Sequence, residues 1–405
     1  MRLQKGRKNS NMQRIAIVLG TRPEIIKMSP VIRALDKHNS EHRALNSSQE
    51  AGNSRLSTRN SELEYFILHT GKHYSYNLDR VFFEQLQLPQ PKYNLEVGSG
   101  THAEETGKML IGIERVLLEE KPDVVLVEGD TNSVLAGALA AAKLHIKVGH
   151  VEAGLRSYDR PMPEEINRIL TDHLSDFLFA PTENARDNLL KEGIPEEKIF
   201  VTGNTIVDAV FQNLEMAKEK QPIIELNKFD NPGTRNYFLV TFHRQENVDV
   251  KVRFEGIIKG LELVAKEFGL PVVYPIHPRA RKMMMEFGLK ANGIELIEPL
   301  DYLSFLRLEA DARLVLTDSG GVQEEACILG VPCVTLRDNT ERPETLEVGS
   351  NILAGTKAER IVSKTKEILN RENKWRNPFG DGRAGERIVE IWKEFKVRGF
   401  KVQGS

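Results

Sequence analysis

Short apolar runs rich in β-branched residues alternate with segments of helical period along almost the whole chain. This alternation is typical of parallel α/β units, in which helices cover both faces of a sheet. The apolar runs predict strands at 14–19, 65–68, 124–127, 148–151, 177–179 and 199–201, and then at 237–241, 272–274, 294–297, 314–316 and 331–336. The pattern therefore predicts an α/β fold built from doubly wound parallel sheets.

Helical segments lie between these strands. In the first of them Pro23 stands at the first turn, and Ile25, Met28, Ile32 and Leu35 recur at helical spacing. An alanine-rich helix is predicted at 133–143 and a last helix at about 384–395.

Two polar stretches interrupt the alternation. Residues 39–62 are rich in Ser, Asn and Arg and lack apolar periodicity, which predicts a mobile surface insertion. Around residues 215–236, Lys, Gln, Pro and Gly replace the apolar stripe, which predicts a domain boundary. The prediction is thus a disordered extension at 1–13, an N-terminal domain at 14–215, a C-terminal domain at 237–383, and a helix at 384–398 that caps either domain and is a candidate to cross back to the first.

Composition narrows the class of protein. A length of 405 residues suits two or three domains, and a net charge of −2 argues against a general nucleic-acid binder. The two cysteines, Cys327 and Cys333, provide neither a disulfide framework nor a cysteine-based metal site. Since no apolar run is long enough for a bilayer or a secretion signal, we expect a cytoplasmic protein without a membrane partner.

The segment TDSGGVQEE, residues 317–325, joins a predicted strand to a predicted helix. Its turn, Ser319-Gly320-Gly321, lets the backbone approach an anion, and the free N–H groups of the helix point toward it. A carboxylate just inside the helix, at Glu325, can accept both hydroxyls of a ribose. This favours a nucleotide site, but an ordinary strand-to-helix connection with acids near a helix N-terminus explains the residues equally well.

Charged residues in the first half follow predicted strands or open the next helix. Each of them also has an ordinary structural explanation that needs no functional site: solvated basic residues, an N-cap aspartate, or an exposed ion pair between Glu164 and Arg168. Several carboxylates and arginines nevertheless converge on one predicted rim. These candidates are Arg22, Lys27, Asp130, Glu152, Glu164 and Arg168.

The second half places two histidines at strand ends. His243 follows the strand at 237–241, and His277-Pro278 follows the strand at 272–274. Each histidine alone is more often structural than a ligand contact. Arg342, beyond the strand that ends at 336, is a further candidate to bind phosphate.

Eight segments, in order along the chain, resemble the non-hydrolysing UDP-N-acetylglucosamine 2-epimerases: GTRPEIIK, GDT, HVEAGLRS, MPEEINR, TFHRQEN, PIHP, DSGGVQEEA and RDNTERPE. The resemblance runs from about Arg14 to the C-terminal helix, apart from the stretch at 39–62. It implies two Rossmann-like domains facing each other across a cleft, as in glycosyltransferases of the B type. It also implies a UDP-sugar substrate, a homodimer and no external cofactor.

The resemblance also implies residue roles. UDP would be held in the C-terminal domain, with Arg22 and Lys27 reaching the phosphates and sugar from the other domain. The C-terminal contacts would be Ser319, Gly320 and Gly321 to phosphate, Glu325 to ribose, His243 and Arg342 to the phosphates, and His277 with Pro278 to the uracil side. The catalytic groups would be Asp130, Glu152, Glu164 and His243, with Arg168 in support.

The implied reaction eliminates UDP across C1 and C2 to give 2-acetamidoglucal, then adds UDP back with the C2 proton on the opposite face. Proton transfer is thus needed on both faces of the sugar. The alternatives are a hydrolysing 2-epimerase, an epimerase of a more decorated UDP-acetamido sugar, a glycosyltransferase of the same architecture, and a non-catalytic nucleotide-binding module.

The chain departs from the family pattern at two positions. Bacterial relatives often have Gln-His where this chain has Lys72-His73, in a loop that binds a second UDP-N-acetylglucosamine as an activator. Because Lys72 replaces the glutamine, we do not expect this activation here. Phe242 stands where many members have Gly.

Overall fold

A computed structural model describes residues 13–50, 63–71, 76–219, 235–372 and 374–398. The described chain forms two compact units. Unit 1 combines the residues up to Ala209 with those from Gly380 onward, and unit 2 runs from Val210 to Phe379.

The order of elements is the alternation of strand and helix that the apolar pattern predicts. The described strands are β1 (Gln13–Leu19), β2 (Leu63–His69), β3 (Tyr93–Asn94), β4 (Val124–Glu128), β5 (Lys147–Val151), β6 (Phe177–Ala180), β7 (Ile199–Val201), β8 (Phe238–Thr241), β9 (Val272–Pro275), β10 (Ile294–Ile297), β11 (Leu314–Thr317), β12 (Cys333–Thr335) and β13 (Asn351–Leu353). The described helices are α1 (Arg22–Glu50), α2 (Tyr76–Gln85), α3 (His102–Glu120), α4 (Asn132–Lys143), α5 (Pro163–Leu174), α6 (Glu183–Lys191), α7 (Thr205–Glu219), α8 (Gln245–Val248), α9 (Lys251–Phe268), α10 (Pro278–Glu286), α11 (Tyr302–Asp311), α12 (Gly320–Leu329), α13 (Pro343–Glu347), α14 (Ala358–Leu369) and α15 (Ala384–Arg398), with a short 3-10 helix at Glu196–Lys198.

Each unit contains one parallel sheet whose strand order reverses at its centre. The order in unit 1 is β3-β2-β1-β4-β5-β6-β7, and in unit 2 it is β10-β9-β8-β11-β12-β13. The reversals therefore lie between β1 and β4 and between β8 and β11. Loops that leave two such strands diverge and open a crevice at their carboxyl ends, which is where doubly wound folds bind ligands.

The α/β, Rossmann-like fold class is confirmed. The central strands are buried on both faces, as in β4, where all five residues are buried. The sequence prediction missed two strands at the sheet edges, β3 and β13, because two and three residues are too few to show a pattern. Phe242, unusual for the resemblance, is a core residue whose ring stacks on Tyr274 with centroids 4.8 Å apart.

Helix α1 is longer than predicted. It continues to Glu50, so residues 39–50 of the predicted surface insertion are helical, because no helix-breaking residue occurs between Pro30 and Gly52. Asn39 fixes the start of β2, since its amide group bonds both the N–H and the C=O of Leu63. The rest of that insertion, the extension up to residue 12, and Lys72-His73 lie outside the described residues.

The C-terminal helix α15 belongs to unit 1 and packs on α1. The buried carboxylate of Asp208 accepts hydrogen bonds from the backbone N–H groups of Ala384 (3.1 Å) and Gly385 (2.9 Å) at the start of α15. These bonds satisfy two of the donors that a helix N-terminus leaves without an intrahelical partner. Among the described helices, none is long and apolar enough to cross a membrane.

We expect Gly385→Ala to lower the stability of unit 1. A Cβ at Gly385 would lie 2.8 Å from the carbonyl carbon and oxygen of Pro30 in α1, and backbone atoms cannot move aside as a side chain does. Overpacking of this kind costs about 1–3 kcal/mol, which exceeds the gain of up to about 1 kcal/mol from alanine in a helix. Thermal unfolding followed by circular dichroism should show a lower Tm.

Gly107→Ala is the matched control for this prediction. Gly107 is also helical, in α3, but a Cβ there would meet no atom within 4 Å. The helical propensity of alanine should then leave Tm unchanged or raise it. Equal shifts in the two variants would contradict close packing of α15 on α1.

Candidate functional site

The candidate residues of unit 1 surround the carboxyl ends of three neighbouring strands. Arg22 and Lys27 lie in the first two turns of α1, directly after β1, while Asp130 follows β4 and Glu152 follows β5. Arg22 is exposed and its guanidinium lies 5.8 Å from the centre of the Phe82 ring. These positions meet because the parallel strands end at one edge of the sheet.

A buried lysine binds two carboxyl groups at this edge. The Nζ atom of Lys27 lies 2.5 Å from Glu152 Oε2 and 3.6 Å from Glu128 Oε1, and all three side chains are almost inaccessible to solvent. Burial raises the pKa of Glu128 well above its ordinary value, Lys27 opposes this, and the neighbouring charge of Glu152 adds to it. The raised pKa favours a neutral Glu128 carboxyl group, which reduces the excess of negative charge around Lys27.

Glu152 adopts a backbone conformation that is rare for a residue with a side chain. Its φ is +71°, in the left-handed region. Such a conformation costs on the order of 1–3 kcal/mol and persists only where neighbouring contacts impose it. Here the N–H of Glu152 donates to the carbonyl of Phe179 at 3.1 Å, and the side chain bonds Lys27 and Asn204. The conformation directs a carboxylate into the Lys27 cluster.

Arg168 joins two further carboxylates. From α5 it donates to Asp130 and, at 2.5 Å, to Glu165 Oε2. Glu165 is buried and also accepts from the N–H groups of Ser157 and Tyr158. Arg168 therefore pairs with its i,i+3 neighbour Glu165 and does not form the exposed i,i+4 pair with Glu164 that was the alternative to a functional role, because Glu165 faces the protein interior and Glu164 is half-buried.

Glu24 joins the loop after β1 to the loop after β4. Its carboxyl group accepts from the Gly20 N–H (2.6 Å), the Thr21 hydroxyl (3.0 Å) and the Thr131 hydroxyl (2.6 Å). Burial raises its pKa to about 7, although these hydrogen bonds lower it. Glu24 therefore holds together the two loops that carry Arg22 and Asp130.

His150 also holds the loop that follows β4. It is fully buried in β5, where Nε2 donates to the Gly129 carbonyl at 2.8 Å and Nδ1 lies 2.6 Å from Asp172 Oδ1. The histidine therefore fixes the residue immediately before Asp130 against α5.

In unit 2 the predicted phosphate turn opens α12. Ser319 is the N-cap residue, but its side chain makes no cap hydrogen bond. A Cβ on Gly321 would meet only Ser319 Oγ, at 4.0 Å, so the first turn is open on that side. An anion can therefore approach the backbone N–H groups and the positive end of the helix dipole.

Arginines and glutamates surround this helix N-terminus. A Cβ added to Gly320 would lie 2.5 Å from Oε1 of Glu341, so this glutamate lies directly beside the glycine. The Glu341 carboxylate forms ion pairs with Arg244 (2.8 Å) and Arg337 (2.7 Å). Burial would raise the pKa of Glu341, but Arg244, Arg342 and Arg337 lower it to about 2. Arg342, a predicted phosphate ligand, lies 3.0 Å from the buried Glu324.

The two predicted histidines of unit 2 stack on each other. The rings of His243 and His277 have centroids 5.0 Å apart and an interplanar angle of 28°. Nδ1 of His277 accepts from the Arg279 N–H and so caps α10, in which Pro278 is the first residue. Burial, and then the neighbouring His243, lower the pKa of His277, which favours the neutral ring that this cap requires.

Glu325, the predicted ribose ligand, lies in a buried acidic cluster. Its side chain accepts from the hydroxyl of Tyr302 at 3.0 Å. Burial, and then the charge of Glu325, raise the pKa of the fully buried Glu309. The raised pKa favours the neutral form of Glu309.

Sequence reasoning did not select several residues that the structure brings to these sites. Most of them touch predicted residues directly, and some signals were present: Glu165 precedes Arg168 by three residues, and Arg244 follows His243. Glu128 and Glu309 gave no signal, because each ends or follows an apolar segment as many acids do. The missed residues are Glu24, Glu128, Glu165, Arg244, Glu309, Arg337 and Glu341.

Comparison with known proteins points to one family. A family model described as UDP-N-acetylglucosamine 2-epimerase matches residues 55–393. The UDP-N-acetylglucosamine 2-epimerase of Methanocaldococcus jannaschii is 56% identical over 385 residues, which are 93% of this chain and 98% of that protein. The Methanococcus maripaludis protein of the same name is 53% identical over 387 residues, covering 94% and 98%.

Solved structures agree with the sequence comparisons. The crystal structure of the Methanocaldococcus jannaschii UDP-GlcNAc 2-epimerase in complex with UDP-GlcNAc and UDP superimposes with a TM-score of 0.80 at 55% identity. The match covers 94% of this chain and 100% of the other. The chain therefore belongs to the UDP-N-acetylglucosamine 2-epimerase family.

Proposed function

We propose that this protein interconverts UDP-N-acetylglucosamine and UDP-N-acetylmannosamine by inverting C2 without hydrolysing the substrate. The buried cluster of Lys27, Glu128 and Glu152 carries the proposal. Removal of the weakly acidic C2 proton needs a positioned base, and a carboxylate held by Lys27 beside a carboxyl group of raised pKa suits that task. Family membership supports the substrate class.

Unit 2 would hold the UDP part of the substrate. The open first turn of α12, at Ser319, Gly320 and Gly321, suits a phosphate group, and the carboxyl group of Glu325 suits the ribose hydroxyls. His243 and Arg342 would neutralise the diphosphate. His277 and Pro278, where β9 passes into α10, would contact the uracil side.

The reaction would proceed in two matched halves. A base removes the C2 proton, and the electron pair of the C2–H bond forms the C1–C2 double bond. The C1–O bond breaks, and the diphosphate leaves with the electron pair of that bond. Arg22, His243 and Arg342 would stabilise the charge on the leaving group. Return of a proton to the other face of C2, with attack of the diphosphate at C1, completes the inversion.

Two carboxylate sets can serve the two faces of C2. Glu152 lies against Lys27 and near Glu128, whose pKa is raised by burial, while Asp130 is held by Arg168. A group that can accept a proton and a group that can return one are both required, and the two sets differ in their charge partners. Glu164, half-buried at the start of α5, is the third carboxylate of the proposal.

Incubation of the purified protein with UDP-N-acetylglucosamine in deuterated water tests the function. Proton NMR should show deuterium at C2 and formation of UDP-N-acetylmannosamine. Glu152→Gln and Asp130→Asn should slow exchange by about 10²–10⁴-fold, the usual contribution of an acid–base group, and change the Kd for UDP by less than about 3-fold.

Glu183→Gln is the control, because Glu183 is exposed at the start of α6 in the same unit and should leave exchange unchanged. Free N-acetylmannosamine accumulating with UDP would instead identify a hydrolysing epimerase. Absence of exchange with any UDP-N-acetylhexosamine would rule out the proposal, and transfer to an acceptor would indicate a glycosyltransferase.

Glu325→Ala tests the ribose assignment. Loss of hydrogen bonds to a charged group should weaken UDP binding by about 10–100-fold, measured by isothermal titration calorimetry. Compared with UDP, 2′-deoxy-UDP lacks one of the ribose hydroxyls that Glu325 is proposed to bind. Since the variant has lost the acceptor for this hydroxyl, it should bind UDP and 2′-deoxy-UDP almost equally. Glu359→Ala, on the exposed face of α14, is the control. Normal discrimination between the two nucleotides in Glu325→Ala would assign the ribose to another residue.

A further inference from the structure

Asp318 is a fully buried aspartate that has no role in the site described so far. It lies directly after β11 and before the predicted phosphate turn. Its carboxylate accepts hydrogen bonds from the backbone N–H of His243, 3.2 Å from each oxygen, and from the backbone N–H of Arg244 at 3.0 Å. The side-chain amide of Asn247 donates to it as well, at 3.0 Å.

All of these donors belong to the loop and short helix that follow β8. The strands β8 and β11 are neighbours at the point where the strand order of unit 2 reverses. Asp318 thus ties the loop carrying His243 to the turn carrying Ser319. A carboxylate buried away from water is costly unless hydrogen bonds satisfy it, so its position and that of the donating loop depend on each other.

The carboxylate also lies close to the His243 ring. Asp318 Oδ1 is 4.0 Å from His243 Nδ1, while the histidine side chain remains 46% exposed. The ring is therefore partly accessible to a ligand and also lies near the buried carboxyl group of Asp318. His277, stacked at 5.0 Å, limits its rotation further.

We propose that Asp318 is the positioning residue for His243, which it holds at the N-terminal end of α12 so that the ring reaches the diphosphate of a bound UDP. The assignment rests on the proposed function, in which His243 contacts that diphosphate. Asp318 itself touches no ligand in this assignment. It acts by fixing the backbone from which the imidazole projects.

A double-mutant cycle separates positioning from a general contribution to folding. In Asp318→Asn the amide keeps the size of the side chain but loses the charge and one acceptor oxygen, and we expect the Kd for UDP to rise about tenfold, as for weakened hydrogen bonds to a charged group. In a His243→Ala background the same substitution should change Kd by less than about twofold, because the group that it positions is gone.

Asp176→Asn is the matched control. Asp176 also accepts a backbone N–H, that of Val148 at 3.0 Å, but it does so in unit 1 and at the amino ends of β5 and β6. Its substitution should leave the Kd for UDP unchanged. Thermal unfolding of every variant establishes that the measured protein is folded.

The outcomes are distinct. An unchanged Kd in Asp318→Asn, or an equal tenfold rise in the presence and absence of the His243 ring, would overturn the positioning role. Wild-type protein that binds no UDP would overturn the proposed function and the inference together. If Asp318→Asn does not fold, Asn247→Ala can replace it, because this substitution removes one donor to the carboxylate. A rise of about threefold in the Kd for UDP that disappears in the His243→Ala background supports the inference. The same rise in both backgrounds overturns it.

Discussion

The loops at the two strand-order reversals must be held together by something other than sheet hydrogen bonds. Strands pair along their length, but beyond their carboxyl ends the chains of β1 and β4, or of β8 and β11, turn toward opposite faces of the sheet. A buried carboxyl group supplies the missing connection in each unit: Glu24 in unit 1 and Asp318 in unit 2. An acid can accept several N–H and O–H donors at once, which suits it to join two separate loops. The positions of Arg22, Asp130 and His243 all depend on these two groups.

Unit 1 also shows how a fold accommodates ionised groups that the core disfavours. Lys27, Glu128 and Glu152 would be unstable if buried separately, and together they reach near neutrality only when one carboxyl group keeps its proton. The left-handed backbone of Glu152 adds strain at the same place. Strained backbone and ionisable groups with shifted pKa values tend to occur together at functional sites, which is why this cluster is the candidate catalytic site.

Patterns that repeat along the chain predicted most of the fold and the location of the candidate residues. Strand ends mark the edge where ligands bind, so motifs directly after strands were informative. What the sequence could not specify depends on tertiary contacts. Whether Arg168 pairs with Glu164 or Glu165 follows from the rotation of α5 against the sheet, because both glutamates lie within one helical turn of the arginine. The edge strands β3 and β13 form because a neighbouring strand offers hydrogen bonds. Helix α1 continues to Glu50 because no helix-breaking residue ends it earlier, and not because an apolar stripe extends that far.

The return of α15 to unit 1 has a consequence for the order in which the protein can fold as it is synthesised. Unit 2 is one continuous stretch of chain, whereas unit 1 is complete only when the segment from Gly380 has been added. Until then the Asp208 carboxylate lacks the two backbone donors of α15, and the surface of α1 around Pro30 lacks its partner helix. Unit 2 therefore emerges from the ribosome complete, while the part of the chain that is translated first must wait for the last helix before its own packing is finished.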